Sequence, residues 1–489
     1  MESKSKTVYI LLISLFIIIL GLRLWSVFNT ENFSSGEAYY NQRIVEHIVQ
    51  EKSFLSYDEL SYGGRNILKP QLFHLILAFL TFGNNILLKI IPELFMALIV
   101  FVVYLISKEI SQNENAALIS SLFAGFVPLF FIDTLNVISE YTLAMPLLLL
   151  LVFCLLKLEE KRYLYLFIAL SFILPLIHPI AFMFVLTSLF YFFLIGGGAI
   201  HPTRLKKEAI LTGILIISLI QLIQYKKALL TYSAEIIWQN APANIIADIF
   251  RSLNVIDLIF GVGIVPLIVG AIGVYLGIIR ERKKSVYLFS ALIFSTLFLL
   301  IFRLITLSLG IMLLGVTFAI LSSITLAKII EHLQNIKFKL VAKSVLGAIL
   351  ILFLITSFIP IYTSIKDISD INKDKINDML WLKEKYPADT VVLSNIAEGN
   401  LVTSIANMKT VLDSNFLMAP DSAERIKDSK VIYTTFTESV AMELIKKYNI
   451  KVIYLSPETQ EIYGVDKLIY SHNSECFQQR GDYFYVVNC

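Results

Sequence analysis

Glu37-Ala38-Tyr39-Tyr40-Asn41-Gln42-Arg43 puts a lone carboxylate, two tyrosines and a guanidinium into the polar stretch after the first apolar run. Glu37 can take a proton from a hydroxyl or hold a divalent cation; at a helix start it can equally serve as a capping carboxylate. Tyr39, Tyr40 and Arg43 beside it are candidate substrate-binding groups. Asp133 and Glu140 bracket a short polar turn between two further apolar runs. Such a pair either marks the membrane boundary or supplies a second acidic group facing Glu37. Two carboxylates can divide base and orienting work, or share a metal such as Mg or Mn, with Glu37 and Asp133 as its candidate ligands. Arg303 separates two apolar runs and can snorkel to the interface or fork onto a phosphate. His178, between Ile177 and Pro179, is either a hydrogen-bonded structural imidazole or part of the substrate site.

Side chains so far apart in sequence must be gathered by long elements. The chain has 489 residues, 57% of them hydrophobic, with a mean hydropathy of +0.74. That is above the apolar fraction of soluble domains and indicates a polytopic α-helical membrane protein. A net charge of +3 gives no reason to expect a nucleic-acid partner. Runs of the length a bilayer needs occur at 8–24, 86–107, 116–132, 137–158, 163–177, 179–195, 209–225, 255–279, 285–302, 304–328 and 345–362, about eleven spans. Lys4 and Lys6 precede the first, which reads as an uncleaved signal anchor with a cytoplasmic N-terminus. Lysine and arginine are denser in the segments this assigns to the inside, so the sidedness is consistent.

Residues 25–85 then form a first outer loop. In it, 38–50 is amphipathic, with Tyr40, Ile44, His47 and Ile48 on one stripe, and 71–82 reads as a helix lying on the outer surface. From 363 to 489 the apolar runs shorten and charge returns. Helices are predicted over 375–386 and 438–448, and strands over 390–393, 452–455 and near 483–487. The expected division is a membrane domain, 1–362, and a small extracytoplasmic α/β domain, 363–489. Cys154 lies inside an apolar run. Cys476 and Cys489 are a disulfide pair or two free thiols, since their spacing does not decide.

Four stretches together resemble the superfamily C integral-membrane glycosyltransferases, most of all the archaeal oligosaccharyltransferase-like branch. Glu37–Arg43 is similar to that family's first-loop acidic motif. Pro128-Leu129-Phe130-Phe131-Ile132-Asp133 is similar to its second, and Arg303 falls where the family places an arginine for a lipid phosphate. Trp381–Leu393 with Lys409–Asp413 is similar to the start of its soluble domain. The departure lies at Ser394-Asn395-Ile396-Ala397-Glu398-Gly399, where oligosaccharyltransferases carry WWDYG. The resemblance implies a glycosyltransferase with a polyprenyl-phosphate-linked sugar donor. It implies a protein, glycan or lipid acceptor at the outer face of the cell membrane, and inverting displacement in one step. The loss of WWDYG argues against sequon recognition. The competing expectation is a non-catalytic relative, an assembly subunit or a lipid-linked saccharide transporter, although transporters place ionisable groups near the midplane.

Overall fold

A computed structural model describes residues 2–197, 202–334, 339–368, 373–472 and 475–489. The chain is a multi-pass membrane protein followed by a C-terminal sheet region. Among the described residues seven helices are long and apolar enough to cross a bilayer: Lys6–Phe28, Asn85–Ser111, Pro179–Gly197, Arg204–Trp238, Lys284–Ile301, Leu307–Gln334 and Ser344–Ile365. Val255–Val262 and Ile264–Arg280 add an eighth only as a pair bent by 97°. The bend falls at Gly263, whose φ of 90° is open to glycine and strained for other residues.

The three other predicted runs form shorter helices. The run at 116–132 splits into Glu114–Gly125 and Pro128–Asp133. Pro128 has no N–H to continue a ladder, but it fits the first position of a new helix. The runs at 137–158 and 163–177 become Tyr141–Leu156 and Lys161–Ile177, the second ending before the His178-Pro179 step.

Leu307–Gln334 is the hub of the bundle: 94% of its most apolar stretch is buried, against 22% for Arg204–Trp238, which turns Leu211, Leu215 and Leu222 outward. The partner of the hub comes very close. A Cβ added at Gly270 would lie 2.4 Å from the Phe318 carbonyl oxygen, and one at Gly273 would lie 2.1 Å from that of Leu321. Small residues are what let two backbones meet in a bilayer. Thr325 closes the contact by donating to the Val269 carbonyl at 2.8 Å.

Arg23, near the end of the first helix, does not snorkel. It is fully buried, pairs with Glu93 at 2.5 Å and donates to the Phe131 and Thr134 carbonyls. The pair ties the first span to the Asn85–Ala97 helix and to the turn after Asp133. A charge so buried is tolerated because each of its donors is engaged.

In the first loop, β1 (Tyr57–Asp58) and β2 (Arg65–Asn66) form a small antiparallel pair. The C-terminal region folds around five strands, β3 (Val391–Leu393), β4 (Lys409–Thr410), β5 (Ile450–Tyr454), β6 (Phe477–Arg480) and β7 (Phe484–Val487), in the order β4-β3-β5-β7-β6. The first three are mutually parallel, and the last two run antiparallel. Apolar clusters cover the sheet, one of them built on Leu393, Val411, Ile453 and Tyr485 and another on Met379, Val392, Val452 and Phe484. A disulfide joins Cys476, just before β6, to Cys489, just after β7.

Candidate active site

Ser35 caps the helix Gly36–Glu51, its hydroxyl accepting from the Ala38 N–H at 3.2 Å. Glu37 is therefore free of the capping task and stands in the first turn, where the helix dipole favours its negative form. The residue before it sets its surroundings. A Cβ at Gly36 would come 3.2 Å from the Ala397 carbonyl oxygen, so the C-terminal region presses directly on this helix start. The helix buries Ala38, Tyr40, Asn41, Ile44, Val45 and Ile48, so Asn41 is a polar side chain inside an otherwise apolar stripe.

That asparagine organises the site. Its Nδ2 donates to the Ile138 carbonyl at 2.6 Å, which fixes the amide. Its Oδ1 accepts from His74 Nε2 at 3.0 Å and from Lys69 Nζ at 3.3 Å. Lys69 then reaches both acids: its ammonium is 2.6 Å from Glu140 and 3.7 Å from Glu37. His74 Nε2 also faces Glu140, at 3.5 Å. Lys69, His74 and Asn41 were not singled out as site residues in the sequence. Two signals were there to be read: an asparagine on the apolar stripe of a surface helix, and a lysine before Pro70 at the start of an apolar one.

Glu140 is 2% exposed, whereas Glu37 keeps 62% of its side-chain surface open. Desolvation works to raise the Glu140 carboxyl, but Lys69, His74 and His178 outweigh it and hold it at about 2. Burial raises the Glu37 carboxyl above the usual carboxylate range, with Lys69 pulling it back and Glu140 adding to the rise. Glu37 thus stands open at the mouth of a recess whose floor is the buried Glu140, His74 and Asn41. Desolvation drives His74 down to about 4, so it is neutral near pH 7. It opposes the Lys69 ammonium as well, yet the two carboxylates keep that group charged. The result is one acid locked in its ionised form beside a second, more basic one that meets solvent, a division suited to a base and its support.

The other predicted positions divide. Tyr141 follows Glu140 directly in the chain and packs against His178. Asp133 itself is exposed, at the end of the Pro128–Asp133 helix. The His178 ring packs tilted against Tyr141, centroids 4.6 Å apart, and its Nδ1 accepts from the Ile180 N–H, capping the next turn. Tyr39 is half-buried, with its hydroxyl accepting from the Phe33 N–H at 3.3 Å. Tyr40 and Arg43 face inward to hold the loop. Tyr40 accepts from Arg65 at 3.1 Å, and Arg43 forks onto both oxygens of Asp58 at 3.0 and 2.5 Å. Arg303 is exposed with a φ of 54°; its carbonyl accepts from the Trp238 indole, and among the described residues no ion pair joins it to the recess.

No family model matches the chain. An alignment 137 positions long is 35% identical to dolichyl-phosphooligosaccharide-protein glycotransferase 2 of Archaeoglobus fulgidus; it covers 26% of this chain and only 23% of that relative's length. Among solved structures, the Archaeoglobus fulgidus oligosaccharyltransferase tethered to an acceptor peptide with the NVT sequon superposes with a TM-score of 0.74 at 11% identity, over 98% of this chain and 74% of that one. A second structure of that enzyme, in complex with zinc and sulfate, gives 0.69 at 14% identity, over 96% and 71%. ArnT from Cupriavidus metallidurans bound to undecaprenyl phosphate gives 0.61 at 10% identity, over 98% and 97%. Two enzymes of different overall size thus share one architecture with nearly the whole of this chain, and the chain has the fold of these two membrane proteins.

Proposed function

We propose that the chain is a glycosyltransferase that takes a sugar from a polyprenyl-phosphate carrier and passes it to a hydroxyl acceptor at the outer face of the membrane. The observation that carries the reading is the recess, where an ionised Glu140 and a raised, solvent-reached Glu37 stand on either side of Lys69 beneath the C-terminal region. The shared fold adds support, because relatives of that architecture have been seen with dolichol-phosphate and with undecaprenyl phosphate. In the proposed reaction the acceptor hydroxyl gives its proton to Glu37 as its oxygen attacks the anomeric carbon. The bond from that carbon to the carrier phosphate breaks, and the polyprenyl phosphate leaves with the bonding pair. A single displacement inverts the anomeric centre. Asp133 would orient the acceptor, and Arg303 would meet the carrier phosphate. The first outer loop and residues 363–489 would then be extracytoplasmic and the N-terminus cytoplasmic. Chains without WWDYG need another way to select an acceptor, so transfer to asparagine in a sequon is not part of the reading.

A divalent cation held by Glu37 and Asp133 fits the donor set poorly. Among the described residues no three carboxylate, imidazole or thiolate groups converge as metal ligands. No step is routed through a metal.

Glu37→Gln tests the base. Sugar transfer from dolichyl-phosphate hexoses should fall by about 10²–10⁴-fold, with donor binding and folding kept. Turnover near that of the unaltered protein would reject the role.

A further inference from the structure

The Lys69 ammonium occupies the space that a bridging metal would need. It lies 2.6 Å from Glu140 and 3.7 Å from Glu37, and it also donates to Asn41 at 3.3 Å. We propose that Lys69 is the resident cation of this site, standing where a divalent metal would bridge the two acids, so that transfer proceeds without one. The inference rests on the glycosyl-transfer reading and deepens it.

Charge balance carries the argument first. Two carboxylates face one ammonium, and the imidazole of His74 is held neutral by burial, so one negative charge is left over. That is the charge a general base needs. A dication added to the same group would leave a net positive site and hold Glu37 as a ligand rather than a base. Geometry comes second. Magnesium wants about six oxygens at roughly 2.0–2.1 Å, and calcium more at roughly 2.3–2.6 Å. Here Glu140 is already engaged by Lys69 and faced by His74, and the Asn41 oxygen accepts from both of them. One nitrogen of each imidazole is also committed. His74 presents Nε2 as a donor to Asn41, and His178 spends Nδ1 on the Ile180 N–H. Lys69 acts as a positioning residue: it keeps Glu140 ionised and sets the acidity of Glu37. In the transfer step described above, the proton still passes from the acceptor oxygen to Glu37.

Manganese alone is the probe. In a paramagnetic-resonance titration the purified full chain should leave the free Mn²⁺ signal unchanged, whereas Lys69→Met, which removes the cation and keeps the stem, should bind Mn²⁺ through Glu37 and Glu140. Transfer by the unaltered chain should persist within about 2-fold after chelation, and Lys69→Met should lose about 100-fold or more while Lys69→Arg recovers part of it. Saturable 1:1 Mn²⁺ binding to the unaltered chain, abolished by Glu37→Gln, would overturn the inference. So would loss of transfer on chelation with recovery on added Mn²⁺. Lys69→Met that folds and transfers at the parent rate would overturn it as well. If no form of the chain transfers sugar, the functional reading fails by itself, and the titration still decides which cation the acids hold.

Discussion

Acidification should discharge the recess in a fixed order. His74 is depressed from 6.5 to about 4, so between these values only the unfolded chain takes up its proton, and stability falls as the pH drops through that window. Glu140 is depressed from 4.5 to about 2; its contribution is complete above 4.5 and is lost as the pH falls toward 2. Glu37 works the other way, because its raised carboxyl protonates earlier in the folded chain, and it offsets part of the loss. The thermal midpoint of the detergent-solubilised protein should therefore decline below pH 6.5. In His74→Gln the decline between 6.5 and 4 should be smaller. An identical pH profile for the variant would show that His74 is not the sensing group.

Helices were the most legible part of this chain, and the sharpest contact between them was still missed. Apolar runs announced all seven long helices found among the described residues, because a bilayer demands continuous hydrophobic length, but three further runs read as spans form shorter helices. Their breaks were harder to see, since Pro128 both ends one helix and begins another. In the C-terminal region, 373–385 and 438–447 formed the expected helices and Val391–Leu393, Ile450–Tyr454 and Phe484–Val487 the expected strands. Lys409–Thr410 is too short, and Phe477–Arg480 too polar, to register as strands by alternation. Gly270 and Gly273 sit among apolar residues and gave no hint that a neighbouring backbone lies against them. Gly270→Leu would force Phe318 and its helix outward. Such overpacking costs about 1–3 kcal/mol or more, and the yield of monodisperse protein in detergent should fall sharply. Gly196, with open space around it, is the control, and Gly196→Leu should leave the yield unchanged.

The membrane bundle and the C-terminal region are held in register by a polar latch that no local sequence pattern reveals. Ser61 donates to Asp413 at 2.6 Å, Tyr62 reaches the Asp413 carbonyl, and Arg65 contacts Ser61, Tyr40 and the Leu417 carbonyl. The partners in these contacts are up to 352 residues apart, which is why the sequence could supply the two regions without their docking. The latch also steadies the recess, since Tyr40 belongs to the helix that carries Glu37. Arg65→Ala would remove the guanidinium from Ser61, Tyr40 and the Leu417 carbonyl, while Asp58 keeps its fork with Arg43. Losing buried hydrogen bonds from a charged group costs about 1.5–3 kcal/mol. Limited proteolysis should then release the C-terminal region at protease levels that leave the parent intact. Equal resistance would mean that apolar packing alone holds the two together.

The same loop does something else for the sheet. The Leu60 carbonyl takes the Thr410 N–H at 2.7 Å, and Ser61 pairs alongside, so the membrane domain lends a short extra rung to the outer side of β4. An unpaired strand margin recruits other chains. Cut away from its bundle, the C-terminal region would therefore lose its bumper and offer a sticky ribbon to its own copies. For anyone crystallising that fragment alone, self-association would be the chemistry of a missing neighbour rather than a property of the intact protein.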